Sequence, residues 1–367
     1  MQLKTESPEI SYQVLDIVGS SDYGKDTKIL ASRTFNMMKS DDWLTGYAGY
    51  KKQLATSAEG EGRGIFSSPK ANAMIVVTNG DVFSVSLFST GSDGKKKFTS
   101  RKVGQLETTT GDVFIDSNDA SQIAICDQVN IYIYNYDTDV FLKAMLPEGF
   151  VPGYVAFHNT RFVTPDRASG QWALSEASNG LNWFWGASGE PVIGGIQTKP
   201  SVGRAVVRFP GRSDQLLVLG ETGCEMWVDV GGALFPYQKN TSTSFDYGCV
   251  NPATVATSEE FVAWIGSNSE SEAVLMFTNG AEVKTISTDG INNKLQRIVN
   301  PLKATALFVK IYGHLIYQVT FYDSADNWSF MYDFTTNKFF DLTDENMDFH
   351  IARDVAFFKG EYYFVSI

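Results

Sequence analysis

The chain repeats one pattern at intervals of about 40 to 50 residues: short apolar segments separated by turns that contain Gly, Asn or Asp. Two examples lie side by side within residues 214–287. There, QLLVLG and CEMWVDV flank a Gly-bearing turn, while VAWIG and AVLMF precede the turn Asn279-Gly280. Short apolar segments bounded by such turns are typical of antiparallel strands. The chain is therefore expected to fold into a series of small antiparallel sheets.

The same unit recurs along most of the chain, and Asn79-Gly80 lies at the turn of an especially clear hairpin in the first unit. In the third unit we assign the last strand to the cluster Trp183-Phe184-Trp185. The spacing is that of β-propeller blades, so the predicted fold is all-β, a β-propeller of six four-stranded blades. Two packed β-sandwiches would show the same strands and remain the alternative. The predicted units cover residues 63–88, 111–145, 153–185, 203–237, 261–287 and 306–342.

Both ends of the chain depart from this repeat. Residues 1–60 are predicted to form an N-terminal arm and a loop-rich segment, with strand patterns at 12–18 and 27–35, and residues 61–367 form the propeller body. The last unit, VAFFKGEYYFVSI, contains only two strands. Either an N-terminal strand such as 27–35 completes this blade, or the natural chain continues past Ile367. One short helix is predicted near 290–298.

Composition agrees with an all-β fold and limits the partners. Aromatic residues make up 13% of the chain and there are 32 glycines, which favours short strands joined by turns. The formal net charge is -12, and a surface that grips phosphates needs clustered Lys and Arg instead. We expect a solvated acidic surface that keeps the protein soluble.

Cysteines and apolar segments indicate the compartment. Cys126, Cys224 and Cys249 are far apart and flanked by apolar residues, so we expect buried free thiols and synthesis in a reducing compartment. The first residues lack the basic and apolar regions of a signal peptide. No run of 18 apolar residues occurs, so no membrane insertion is predicted.

Motifs for common enzyme chemistries are missing from the sequence. The histidines His158, His314 and His350 fall in three different units and are predicted to be core or turn residues. No H-x-x-x-H or C-x-x-C pair suggests a metal site. The signatures of acyl transfer, nucleotide hydrolysis and dinucleotide binding are also missing. No cofactor and no catalytic residue are therefore predicted.

Two weaker patterns are interpreted as turns. Asn135, Asp137 and Asp139 alternate as in calcium loops, but the required Gly and distal Glu are missing, so an Asx-type turn is preferred. Ser175 followed by Gly180-Leu181-Asn182-Trp183 is a degenerate relative of the S-x-D-x-G-x-T-W box of sialidase-like propellers. That box is a structural turn, and this is the role that we predict here.

Carboxylates keep a second function open. A glycosidase needs two carboxyl groups that face each other across the sugar, and a sequence cannot show such a pair. Turn and surface roles are expected for Glu221, Glu225, Asp229 and Asp246. A sialidase-like glycan hydrolase or glycan-binding propeller remains the alternative function.

Motifs in one collinear order resemble a known family, the packaged-DNA stabilisation proteins of short-tailed phages, also called tail hub or nozzle proteins. The resemblance extends over about residues 28–295, whereas 296–367 match only as generic strands. The segments that carry it include SRTFNMM, GRGIFSS, VVTNGDVFSV, LLVLGETGCEMWVDVGGALFPYQ, DYGCVNPATVA and EVKTISTDGI.

The resemblance implies a non-enzymatic virion protein of the phage tail, made in the cytoplasm of the host bacterium. It implies a homo-oligomeric ring, a hexamer, below the portal and its head-to-tail adaptor protein. Such a ring retains packaged DNA, forms part of its exit channel and carries a tail needle, spikes or fibres. DNA would pass through the lumen without sequence-specific binding, and we expect Asp and Glu loops to face the channel.

A closed ring also needs two different contact patches on each subunit. The aromatic segment containing Trp43, Tyr47 and Tyr50 is one candidate subunit interface. Packing of these three side chains against their own propeller is the alternative.

Overall fold

The computed structural model describes residues 35–40, 43–52, 60–209, 211–268, 273–279 and 282–367, without the side chains of residues 242–244. The strand pattern predicted at 12–18 and all but the last residue of that at 27–35 lie outside these ranges. The description begins with a small hairpin of β1 (Met37–Ser40) and β2 (Trp43–Gly46).

Six four-stranded antiparallel sheets follow, each a meander in which consecutive strands are neighbours. The first blade contains β3 (Gly62–Ser68), β4 (Ala73–Thr78), β5 (Asp81–Thr90) and β6 (Lys96–Gln105). The second contains β7 (Phe114–Ser117), β8 (Gln122–Cys126), β9 (Ile131–Asn135) and β10 (Val140–Lys143). The third contains β11 (Ala156–His158), β12 (Arg161–Pro165), β13 (Gln171–Leu174) and β14 (Val192–Gly195).

The remaining blades have the same order. The fourth contains β15 (Gly203–Arg208), β16 (Gln215–Gly220), β17 (Cys224–Asp229) and β18 (Tyr237–Phe245). The fifth contains β19 (Ala256–Thr257), β20 (Val262–Gly266), β21 (Val274–Thr278) and β22 (Val283–Thr285). The sixth contains β23 (Ala304–Ile311), β24 (His314–Phe321), β25 (Trp328–Asp333) and β26 (Lys338–Leu342). The predicted all-β propeller of six four-stranded blades is confirmed.

A seventh position in the ring is occupied by a two-stranded hairpin, β27 (Ala352–Phe358) and β28 (Glu361–Ser366). Strand β27 lies between the first strand of the sixth blade, β23, and that of the first blade, β3. One face of the hairpin packs on the first blade through Phe358 and Val365. Its other face packs toward the sixth blade through Val355 and Phe364. The half-unit predicted at this end of the chain therefore closes the ring.

The N-terminal hairpin fills the outer part of this seventh position. Met38 on β1 is fully buried against the sixth blade, in the same cluster as Ala352 of β27. Phe35 forms an isolated parallel bridge with Asp341 on β26. The two hairpins belong to separate sheets, so the described N-terminal strands pack beside β27 and β28 without hydrogen bonding to them.

Apolar clusters between neighbouring sheets form the core, and alternation along each strand explains why. On β24, Tyr317 and Val319 pack toward the fifth blade, whereas Ile316 packs toward the seventh position. Central strands such as β8 and β16 are buried along their whole length because both of their faces meet a neighbouring blade. Close approach also requires glycine: a Cβ on Gly64 of β3 would lie 2.9 Å from the Val113 carbonyl oxygen beside β7.

Two strand assignments differ from the sequence prediction. The fourth strand of the third blade is Val192–Gly195, not the Trp183-Phe184-Trp185 cluster. Trp183 is buried at a turn, where its indole N–H donates to the Gly180 carbonyl at 2.8 Å. The fourth strands β6 and β18 have no clear apolar pattern, and the sequence did not reveal them. The short helix is confirmed as α1 (Asp289–Leu295).

Candidate functional site: the central cavity

The first strands of the blades surround a central cavity of about 1060 Å³. All seven positions of the ring contribute to its wall. Connections between the first and second strands also line it, through residues such as Asp119, Asn159 and Glu259. The cavity is therefore the axial channel of the propeller, on the side of these connections.

Two carboxylates in the cavity wall join neighbouring first strands. Asp354 on β27 accepts a hydrogen bond from the Ile65 N–H on β3 at 2.9 Å. In the same way, Asp116 on β7 accepts one from the Phe157 N–H on β11 at 2.7 Å. The other oxygen of each carboxylate accepts from the N–H of the following residue at 2.8 Å. Both groups thus act as links between adjacent blades.

Burial shifts the pKa of these carboxylates. Removal from water raises the pKa of Asp354 to about 6, although its backbone hydrogen bonds favour the charged form. Burial also raises the pKa of Asp116, and Arg208, whose guanidinium is 3.7 Å away, opposes this shift. The wall of the channel therefore holds carboxyl groups that take up protons at a higher pH than exposed ones.

An ion-pair cluster around the buried Arg353 lies where the seventh position meets the first blade. The Arg353 guanidinium donates to Glu61, to Asp112 at 3.0 Å and to the Tyr322 hydroxyl at 3.2 Å. Burial raises the pKa of Asp112, and the neighbouring Arg353 opposes that rise. The Arg353 carbonyl accepts from the Thr305 hydroxyl on β23 at 2.6 Å. Arg353 thus connects the sixth blade, the closing hairpin and the first blade.

Arg63 is a second buried arginine beside the cavity. Its guanidinium donates to the carbonyls of Gly111, Asn79 and Thr108 at 2.7 to 2.8 Å and to the Thr108 hydroxyl at 2.9 Å. These acceptors belong to loops of the first two blades. Because its donors are directed to loop carbonyls, Arg63 fixes the loops and is not free to bind a ligand.

The Asp354→Asn variant tests the link between β27 and β3. The pKa of Asp354 is near 6 in the folded chain and about 3.9 when unfolded. The stability that this raised pKa contributes is therefore fully present below about pH 4 and is lost as pH rises through 6. Relative to this variant, the wild-type protein should lose about 2 to 3 kcal/mol of unfolding free energy between pH 4 and pH 7. Urea unfolding across this range measures it, and parallel pH profiles of the two proteins would contradict the assignment.

The predicted core or turn histidines are all buried. His158 Nδ1 lies 2.7 Å from the Tyr237 hydroxyl, and burial lowers the pKa of His158. His314 Nδ1 lies 2.7 Å from Asp333 Oδ2. Burial lowers the pKa of His350 to about 4, so this ring is neutral at pH 7 and packs between Tyr47 and Phe364. The three rings lie in separate environments and do not form one site.

The cysteine prediction is confirmed, because Cys126, Cys224 and Cys249 are free and buried. Burial raises the pKa of the Cys126 and Cys249 thiols to about 12 and that of Cys224 further still. Within the ranges that the structure describes, no group of three or more His, Cys, Asp or Glu side chains has the arrangement of a metal site.

Both predicted turns are observed. The Asn135 side chain accepts from the N–H groups of Asp137 and Thr138 at 3.0 Å, which is an Asx turn. Asp139 pairs with Arg101 and the Tyr134 hydroxyl instead of converging with Asn135. In the box-like segment, the Ser175 hydroxyl accepts from the Phe162 N–H at 2.9 Å and the turn buries Trp183.

The surface prediction fails for Glu225, which is almost fully buried near the start of β17. Its Oε1 accepts from the Gln197 N–H at 2.8 Å and lies 3.0 Å from Lys239 Nζ. Burial alone would raise the pKa of Glu225, but hydrogen bonds from Thr198 and Lys239 lower it. Glu225 therefore anchors the loop after β14 to the fourth blade.

The other three carboxylates in that prediction take the expected roles. Glu221 forms an ion pair with Arg204 at 2.6 Å, and Asp246 forms one with Lys199 at 2.9 Å, in both cases at the surface. Asp229 ends β17 and accepts from the Gly231 N–H at 2.9 Å within a turn.

The three candidate interface residues are placed differently. Tyr47 donates its hydroxyl to Gln318 at 2.8 Å and packs edge-on against His350, so it is held by its own propeller. Tyr50 also contacts His350, and its ring lies 5.4 Å from that of Phe364, while part of the side chain stays exposed. Trp43 is 78% exposed. Trp43 is therefore the one of the three that keeps most of its surface for a partner, and the interface stays a prediction.

Fold and cavity together define a β-propeller whose axial channel is lined by groups that tie its blades to one another. Residues 206–340 match the family model described as "Bacteriophage P22 Gp10, beta-propeller". Over this region the resemblance found in the sequence is confirmed. The match begins later than that resemblance and extends into β26 of the sixth blade, a region that the sequence had matched only as generic strands.

Solved structures share the fold at low sequence identity. A structure titled "Streptogramin B lyase structure" is 12% identical with a TM-score of 0.51, and the alignment covers 85% of this chain and 92% of that one. The extracellular domain of the putative one component system BT4673 from B. thetaiotaomicron is 10% identical with a TM-score of 0.51, covering 86% of this chain and 38% of that one. At these identities the likeness supports the propeller fold alone. Comparison with curated proteins finds no match.

Along the described ranges, no helix has the length and apolar character needed to cross a bilayer.

Proposed function

We propose that this chain is a non-enzymatic tail protein of a phage particle that assembles as a hexameric ring below the portal and its adaptor protein. The ring retains packaged DNA, forms part of the ejection channel and carries a needle, spikes or fibres. The observation that supports this proposal is the match of residues 206–340 to the propeller family of a phage protein. The site of action is the virion tail.

The charge of the chain is compatible with a channel for DNA. A duplex slides through a lumen that does not neutralise its phosphates, because each phosphate contact made by Lys or Arg adds affinity. The chain carries 42 acidic residues against 30 basic ones. We infer that acidic loops face the lumen of the assembled ring and that DNA passes without sequence-specific binding.

We do not propose the sialidase-like alternative. Hydrolysis of a glycoside needs two carboxyl groups free to face the sugar. In the cavity wall, Asp116 and Asp354 each accept two backbone hydrogen bonds and serve as links between blades. No observation on the other carboxylates favours a glycan site.

Phage particles that lack this protein test the proposal. We expect them to package DNA and then lose it, so that nuclease-resistant DNA per particle falls after the packaging motor detaches. Supplying the wild-type chain from a plasmid should restore retention. Particles that stay filled and infectious without the protein would contradict the proposal.

A further inference from the structure

The closing hairpin leaves one sheet edge open. In the six complete blades the second strand is paired on both edges, whereas β28 has β27 as its sole strand partner in the described chain. Lys359 and Gly360 have positive φ angles of 50° and 86° and form a two-residue turn. The pair Phe358–Glu361 closes this turn. By antiparallel geometry, Tyr362 and Phe364 therefore direct their N–H and C=O groups away from β27.

The N-terminal hairpin does not cover this edge with hydrogen bonds. Its strands form their own sheet, and Met38 on β1 and Tyr47 just after β2 pack on the sixth blade. Contact with β28 is made by the Tyr50 ring, 5.4 Å from that of Phe364. An open edge beside a packed hairpin is a place where another extended segment can add as a strand.

Exposed aromatic side chains flank the open edge. Phe357 and Tyr362 are 57% and 39% exposed, and their rings lie 5.0 Å apart across the hairpin. The Tyr362 hydroxyl accepts from the Lys310 N–H at 2.9 Å, which brings the end of β23 alongside. Tyr312, which follows β23, is 72% exposed. A strand added to β28 would cover part of this aromatic surface.

The charges around the edge indicate what kind of segment would bind there. Lys52, Lys310 and Lys359 are exposed, and none forms an ion pair with a described residue. The nearby Glu361 is already held by Lys96 and by the Tyr363 hydroxyl. The edge thus offers unpaired backbone groups, aromatic side chains and uncompensated positive charge. Its complement is an extended segment that is apolar and acidic.

We propose that β28 binds residues 5–18 of a neighbouring copy of this chain as an added strand. This segment, TESPEISYQVLDIV, carries Glu6, Glu9 and Asp16 and no basic residue, and 12–18 is its strand-like part. Each subunit would give one segment and accept one, which is the head-to-tail contact that a closed ring requires. The inference rests on the proposed ring and names one of its contacts.

A photo-crosslinking residue at position 362 tests the contact in assembled rings of the full-length chain. Rings are formed from a mixture of isotopically light and heavy copies, and crosslinked peptides are mapped by mass spectrometry. We expect crosslinks from position 362 to residues 5–18, with light–heavy pairs that prove exchange between subunits. Rings whose crosslinks stay within one chain, or reach other segments, would overturn this inference and leave the proposed function standing. Absence of any ring would overturn both.

Charge reversal provides an independent test. The double variant Lys310→Glu with Lys359→Glu should weaken ring assembly about tenfold, measured as the protein concentration at half assembly by native mass spectrometry. Adding Glu6→Lys and Glu9→Lys should restore assembly. Lys143→Glu and Lys284→Glu, on the second and fifth blades, are the matched controls and should leave it unchanged. Equal weakening by the controls, or no rescue, would contradict the inference.

Discussion

Replacing Arg353 by alanine is expected to lower the free energy of unfolding by about 3 to 5 kcal/mol, because it leaves the largely buried carboxylate of Asp112 without its partner. Asp112 and Glu61 lose the guanidinium that they share, and the Tyr322 hydroxyl loses a donor. The contact also joins the closing hairpin to the first blade. Its loss therefore opens the circle of blades within the single propeller at that point. Urea unfolding followed by tryptophan fluorescence measures the change.

Arg101→Ala is the matched control for this variant. Arg101 pairs with Asp139 at 2.6 Å, but its side chain is 56% exposed, so water replaces the lost contact and the expected change is below about 1 kcal/mol. Arg353→Lys keeps the charge but not the two-armed geometry and should fall between the wild type and Arg353→Ala. If Arg101→Ala and Arg353→Ala lowered the free energy of unfolding by similar amounts, the cluster around Arg353 would not be what holds the propeller closed.

Replacing Trp172 by alanine is expected to cost about 3 to 5 kcal/mol of unfolding free energy, through lost burial and the cavity that remains. Trp172 is fully buried between the third and fourth blades, and its ring lies 5.2 to 5.5 Å from those of Trp227, Phe235 and Tyr237. These neighbours come from two strands and a loop of the fourth blade, so they cannot all move into the space. Denaturant unfolding gives the value.

Trp43→Ala removes the same side chain from the surface and is the control. Its effect on the stability of the single chain should stay within about 0.5 kcal/mol. If Trp43 also belongs to a subunit interface, the same variant weakens ring assembly while the single chain remains stable. A loss for Trp172→Ala no larger than that for Trp43→Ala would contradict the assigned packing between blades.

Most of the blade architecture could be predicted because central strands carry long apolar patterns. Strands such as β8, β16 and β20 are buried on both faces, and their sequences are correspondingly apolar. The outer strands β6 and β18 could not be found in this way. They form the rim, where one edge meets solvent, and their sequences KKFTSRKVGQ and YQKNTSTSF are charged or polar.

The contacts around the channel could not be predicted from the sequence, because they join residues of adjacent blades that are far apart in the chain. Asp354 and Ile65 are 289 positions apart, and Arg353 and Glu61 are 292 apart. No local pattern marks such pairs. Glu225 was misassigned for the same reason, since the loop that it binds begins 28 positions earlier in the chain. The available signal was that Glu225 stands between the apolar residues Cys224 and Met226. A charged side chain can be buried in such a place when it has hydrogen-bond partners.

Electron microscopy of intact phage particles tests the central claim most directly. The account predicts six copies of this propeller arranged as a closed ring below the portal, with DNA on the ring axis and β28 of each copy covered by a segment of its neighbour. A single copy per tail, or particles from which this protein is absent, would contradict it.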